Sequence, residues 1–224
     1  MTSPGPPEFP ISHNSSLVAL PDPCPASMPP ITTALIVANV AVFFLQTAVP
    51  SLAIPFALWP IGAAQATGGQ AGFQPWQLLT YAFLHADILH LGFNMFAVYM
   101  FGGALELVFG ARRYLTYYFV SIIAAAIVQL IFARITGGFY PTVGASGGVF
   151  GLLLAYAVYF PRNKLMLMFV PVPIPARVFV LIYAVLELTL GVTGSQSGVA
   201  HFAHLGGLVG GAAMLFYWRG FGRR

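Results

Sequence analysis

The chain is short of charge. Of its 224 residues only 6% are Asp, Glu, Lys or Arg, while 58% are hydrophobic. A soluble domain carries about 25% charged residues. So few charges cannot cover a water-facing surface, which excludes a soluble globular protein and implies an integral membrane protein. Cysteine is nearly absent. Cys24 stands alone, so no intrachain disulfide can form, and no Cys/His spacing suits zinc. Neither a metal nor a cofactor is implied. The formal net charge is +4, but the basic residues are too sparse and dispersed for a nucleic-acid partner.

Residues 1–30 lack large apolar runs and hold nine of the 18 prolines. Such a segment cannot bury enough surface to offset its ordering entropy. It reads as a disordered, proline-rich cytoplasmic tail. It has no basic stretch followed by an apolar run, unlike a secretory signal, and too little arginine for a transit peptide.

From residue 31 onward the chain is rich in long apolar runs. A spanning helix needs about 20 predominantly apolar residues. Six segments suit that role: 31–49, 87–109, 114–135, 145–160, 176–192 and 199–218. The expected fold is all-α, a polytopic six-helix bundle over residues 31–219, ending in a short basic cytoplasmic tail at 220–224. Residues 50–86 form a long first loop with four prolines and the aromatics Phe56, Trp59, Phe73 and Trp76. Its apolar character predicts a place in the membrane interface. No internal repeat is evident. With the N-terminus inside, eight of the nine basic residues fall on the cytoplasmic side and only Arg134 falls outside. The distribution of positive charge therefore predicts both termini inside.

Spans two, four and six then run from outside to inside, and each begins with its most polar cluster. The clusters are His85, Asp87, His90 and Asn94; Ser146; and His201 with His204. Polar groups inside a membrane are costly and usually mark function. The fourth span is short, about 22 Å over residues 146–160, against a hydrocarbon core of roughly 30 Å. That sinks Ser146 below the outer surface, where water needs a cavity. Gly144 and Gly148, and Gly147 and Gly151, are spaced by four. Gly206 and Gly210, and Gly207 and Gly211, repeat that spacing on span six. Small residues so spaced let membrane helices approach closely, as a hydroxyl and an imidazole must to hydrogen-bond. Phe150, one turn below Ser146, suits an apolar floor beneath a histidine.

Each of these residues has a plainer reading. Serine in a membrane helix is more often packing than chemistry, and a lone histidine can be structural. His90 and Asn94, four apart, can be a packed polar pair. Gly144-x-Ser146-x-Gly148 matches a hydrolase elbow, but the strand and soluble sheet that motif requires are missing. Taken jointly, at one depth, the residues favour a site.

The motifs His90-x-x-x-Asn94, Gly144-Ala145-Ser146-Gly147 and Ala203-His204-x-x-Gly207, in this order over six spans, resemble the rhomboid intramembrane serine proteases. The resemblance covers residues 31–219. It implies Ser146 as nucleophile and His204 as base, then acid, in a dyad with no aspartate. It implies an oxyanion hole of His90, Asn94 and the Ser146 backbone N–H, and close packing of the sixth helix on the fourth through Gly207. Gly144, Gly147 and Phe150 pack around the site. Span five and loop 193–198 become gate and cap. The implied reaction cuts transmembrane segments of substrate proteins in the bilayer near the outer face, and the implied place is a bacterial inner (plasma) membrane. Asp87 is not expected to join the dyad, and His201 lies outside the motif frame. The first loop has no arginine to match the Trp-Arg pair common in relatives. Glu106 reads as structural, facing Arg112 or Arg113. Glu187 keeps two readings, a protonated and internally hydrogen-bonded acid or a gate-lining group. Two rival functions remain: a non-cutting binder of membrane clients, and a small transporter. The first usually lacks the serine or histidine, and the second predicts a polar stripe through the whole membrane.

Overall fold

The computed structural model describes residues 28–69, 71–167, 170–194 and 200–221. Its main elements are α1 (Pro30–Ala48), α2 (Ile88–Phe109), α3 (Ala111–Thr136), α4 (Ser146–Tyr159), α5 (Ala176–Thr193) and α6 (His201–Phe221). The expected tail at 1–27, Cys24 and most of the loop at 193–198 lie outside the described residues, as do residues 222–224.

Among the described residues, α1, α2, α3 and α5 are long and apolar enough to cross a membrane. Two of the six expected spans fall short of that standard. α4 has 14 residues, about 21 Å of helix. α6 has 21 residues, but two histidines and several glycines dilute its apolarity. The chain also departs from all-α. The connection between the fourth and fifth expected spans contains an antiparallel hairpin, β1 (Lys164–Leu167) with β2 (Val170–Pro175). Its alternating prolines are tolerated because a two-stranded sheet is all edge.

Helix α4 is the centre of the bundle. Nine of its 14 residues are buried, and α2, α3, α5 and α6 all touch it. Large apolar residues elsewhere point outward, among them Phe44, Ile131, Leu181 and Phe216. So many exposed large apolar residues suit lipid, not water.

The glycines of α6 sort onto two neighbours. A Cβ on Gly207 would overlap the Gly147 carbonyl, and one on Gly211 would meet Tyr117 and Gly151. A Cβ on Gly206 would strike Ala124, Ala125 and Val128 of α3, and one on Gly210 would strike Val120, Ser121 and Ala124 of the same helix. Gly206 and Gly210 therefore seat α6 on α3, Gly207 seats it on α4, and Gly211 lies where it meets both Tyr117 of α3 and Gly151 of α4, a division that spacing alone did not assign.

At the opposite end, Glu106 is buried and ties α2 to the start of α1. Its carboxylate accepts from the backbone N–H of Ile31 (3.0 Å) and Thr32 (2.7 Å) and from the Thr32 hydroxyl (2.8 Å). First-turn N–H groups have no partner in their own helix, and an anion there also meets the positive end of the helix dipole. Glu106 is structural, but its partners are these donors and not Arg112 or Arg113. Arg113 instead sits 5.9 Å over the Trp218 ring.

The first loop is folded, with short helical turns at Pro50–Leu52, Ala53–Phe56, Ala63–Ala66, Gln77–Thr80 and Tyr81–Phe83. Buried Gln77 takes the anchoring role that no arginine is present to fill. Its Oε1 accepts from Trp59 N and Gln74 N, and its Nε2 donates to the carbonyls of Pro55 and Gly72, all at 3.1–3.2 Å. The Trp59 and Trp76 indoles donate to Ile54 and Pro55 carbonyls. Leu58 pairs both ways with Thr142, and the Tyr81 carbonyl accepts from Gly144 N at 3.0 Å. The loop is thereby clamped to the strand-like lead into Ser146.

Candidate functional site

Gly144 is the first determinant of the site. Its φ is +125°, a conformation that side chains rarely adopt, and it turns the chain directly into α4. A Cβ there would lie 2.8 Å from the His90 ring. The glycine is thus required twice, for the turn and for the room the imidazole occupies. Ser146 follows at the first residue of α4, where the N–H groups have no intrahelical partner and the dipole favours negative charge.

The Ser146 hydroxyl meets His204 across the α4–α6 contact, with Oγ 2.8 Å from Nε2. Phe150 lies under the imidazole, ring centroids 4.4 Å apart and planes 7° from parallel. The histidine ring is held by a flat apolar surface on one side and by the hydroxyl at its tip. Close packing of Gly147 on Ala125 and of Gly207 on the Gly147 carbonyl sets the helix separation that makes this possible.

His90 is presented by the first turn of α2. Asp87 caps that turn, its Oδ1 accepting from His90 N at 2.8 Å. Asp87 is therefore occupied as a helix cap. The Ala86 N–H donates to His90 Nδ1 at 3.4 Å. A nitrogen that accepts carries no proton, so the ring proton belongs on Nε2, the atom beside Gly144. Asn94, one turn on and buried, donates one Nδ2 hydrogen to the His90 carbonyl at 2.9 Å, and an amide has a second to give. Ser146, His204, His90, Asn94, Gly144, Gly147, Phe150 and Gly207 thus converge on one end of the bundle. His85 also reaches this end, its ring 5.1 Å from that of His90. It lies in the loop before α2 and is almost fully buried. Burial, and next the neighbouring His90, pushes its pKa down to about 4.

Two residues that the motifs pass over are also here. Glu187 reaches across from α5, and its Oε2 lies 2.6 Å from His201 Nδ1 and 3.0 Å from His204 Nδ1. The His201 contact has hydrogen-bond geometry, and the His204 contact lies off that line. Glu187 is buried against the histidines and bonded to His201, which matches the internal hydrogen bonding of its first reading. The available signal was an ionisable group within an apolar span, which indicates a role but not a partner. One atom from each of Glu187, His201 and His204 falls within 4.8 Å of the others, a spacing a metal ion could use.

The chain has recognisable relatives. A family model described as Rhomboid domain matches residues 72–221. The chain is 32% identical over 189 residues to a protein named putative rhomboid protease YdcA of Bacillus subtilis, covering 84% of this chain and 87% of that one. It is 32% identical over 136 residues to rhomboid protease GluP of the same organism, covering 61% of this chain and 24% of the relative. It is 34% identical over 142 residues to rhomboid protein 1, mitochondrial, of Saccharomyces cerevisiae, covering 61% and 39%. The last two alignments thus span less than half of those longer relatives. With a matched domain that reaches from the first loop to the end of α6, and with apolar helices fit to cross a bilayer, the chain is an integral membrane protein of the rhomboid family.

Proposed function

We propose that the protein is an intramembrane serine endopeptidase that cuts transmembrane segments near the outer face with a Ser146–His204 dyad. The observation that carries this reading is the 2.8 Å contact between Ser146 Oγ and His204 Nε2 at the start of a buried helix. A serine hydroxyl is a weak nucleophile until a base takes its proton. In this mechanism Oγ attacks the scissile carbonyl carbon and its proton passes to Nε2. Collapse of the tetrahedral intermediate breaks the C–N bond, and His204 returns the proton to the leaving amine. Water then repeats the sequence on the acyl-enzyme.

The oxyanion is received by the Ser146 N–H, His90 Nε2 and the free hydrogen of Asn94. Donors placed beforehand for developing charge are worth about 2.7–4 kcal/mol each. α4 and α6 complete a six-span bundle with both termini cytoplasmic, in keeping with the basic residues near the inner ends. The setting is a bacterial inner membrane and the substrates are transmembrane proteins.

The deciding experiment is cleavage of a transmembrane reporter by the purified protein in detergent or liposomes. The wild type cuts, while Ser146→Ala and His204→Ala do not and yet keep the wild-type melting profile. A fluorophosphonate labels the wild type and spares Ser146→Ala. Cleavage by either variant refutes the dyad. A folded but inert wild type would instead identify a binder of membrane clients.

A further inference from the structure

We infer that Glu187 is a positioning residue for His204, so that the site is complete only while α5 is docked against α6. The inference rests on the dyad reading above and adds a third member to it.

For His204 to accept the Ser146 proton at Nε2, that nitrogen must be bare, so the ring proton sits on Nδ1. Neutral imidazole has two tautomers, and the partner of one nitrogen decides the state of the other. The Glu187 carboxylate oxygen is 3.0 Å from His204 Nδ1. An ionised carboxylate only accepts, so it selects the Nδ1–H tautomer and stabilises the imidazolium formed when Ser146 attacks. Aspartate does the same in soluble serine triads. Phe150 sets the plane of the ring, and Glu187 sets which edge faces the serine.

His201 shares the same carboxylate oxygen at 2.6 Å. An oxygen with two lone pairs can accept from both rings. The off-line His204 contact suits an enzyme without substrate, where catalytic hydrogen bonds are often poorly aligned and tighten later.

The location of Glu187 gives the contact its consequence. α5 buries only Ala176, Val180 and Glu187, and outward Leu181, Val185 and Leu188 face away from the bundle. One turn after Glu187, a Cβ on Gly191 would lie 2.8 Å from Phe202 and 3.2 Å from His201. That glycine lets α5 approach the start of α6 closely enough for the carboxylate to reach both rings. Tyr183 packs on Phe150 from the same helix. A shift of α5 away from α6 therefore removes the carboxylate from His204 while leaving Ser146, His90 and Asn94 where they are.

The test compares wild type, Glu187→Gln, Glu187→Asp and His201→Phe in reporter cleavage, with melting curves and ¹⁵N spectra of histidine-labelled protein. Glu187→Gln should lower kcat on the order of 10²-fold, short of the roughly 10⁴-fold seen on amidating a fully aligned triad carboxylate, with KM little changed. Glu187→Asp should recover part of that loss. The His204 ¹⁵N signals should move from the Nδ1–H pattern in wild type to a mixed or Nε2–H pattern in Glu187→Gln. His201→Phe should keep most of kcat. Wild-type kcat in Glu187→Gln with a lowered melting temperature would overturn the inference and leave Glu187 a structural tie. Equal kcat losses in His201→Phe and Glu187→Gln would also overturn it, because the carboxylate would then serve His201. An inert wild type refutes the protease reading and not this one, since the ¹⁵N tautomer pattern still decides whether Glu187 orients His204.

Discussion

At the scale of single residues, the site depends on which hydrogens are left to give. Asn94 has already committed one amide hydrogen to the His90 carbonyl, so at most one remains for an oxyanion. Asn94→Ala should therefore slow reporter turnover by no more than about 10²–10³-fold, the effect of one such donor, with activity still measurable against Ser146→Ala. Unchanged kinetics would remove it from the oxyanion hole. Gln77 is the loop's counterpart, with four hydrogen bonds from one buried amide. Each of these bonds is part-buried, so losing Gln77 leaves four partly shielded backbone groups without that partner. Gln77→Ala should cost about 1–3 kcal/mol by that principle, read as a lower melting temperature in detergent.

At the scale of elements, the sharpest constraint is the crossing of α4 and α6. Even a methyl group on Gly207 overlaps the Gly147 carbonyl, and backbone cannot swing aside as a side chain does. Gly207→Val should separate the helices and lengthen the Ser146–His204 contact. Overpacking of this kind costs about 1–3 kcal/mol or more. The expected result is a fall in melting temperature together with loss of fluorophosphonate labelling. Full labelling would mean that α6 reaches α4 by another route. Gly206→Val should also destabilise, but by pressing on α3, away from the reacting atoms.

At the scale of the whole molecule, stability should depend on pH through His85, which lies outside the helical spans. His85 stays neutral in the fold down to about pH 4, whereas an unfolded histidine takes up a proton near pH 6.5. Between those values the unfolded chain binds more protons, so stability rises with pH there and is fully present above about 6.5. One such group contributes a slope of up to about 1.4 kcal/mol per pH unit. The charged neighbours are His90, which opposes protonation, and Asp87, which favours it. His85→Phe should flatten the melting temperature between pH 4 and 6.5 relative to wild type. An identical pH dependence in both proteins would show that His85 protonates freely in the fold.

Several features were legible without coordinates because they follow from composition and local order. Scarce charge and long apolar runs specify a membrane chain, since too few charges exist to face water. Gly144 before Ser146, Phe150 one turn after it, and the paired glycines of α6 are local patterns with local geometric meaning. Other features were decided by tertiary structure alone. The partners of Glu106 lie 74 and 75 residues away on α1, and charge sign alone pointed to the wrong ones. The division of the α6 glycines between α3 and α4 depends on how three helices cross. The seating of the first loop on Gln77 depends on a fold of its backbone that spacing does not encode. Glu187 is the clearest case. Its sequence distances to His201 and His204 carry no instruction, because α5 and α6 are separate elements whose approach is set by Gly191 and by packing. The order of the residues determined which groups a membrane-buried site could use, and only the crossing of the helices decided which atoms meet.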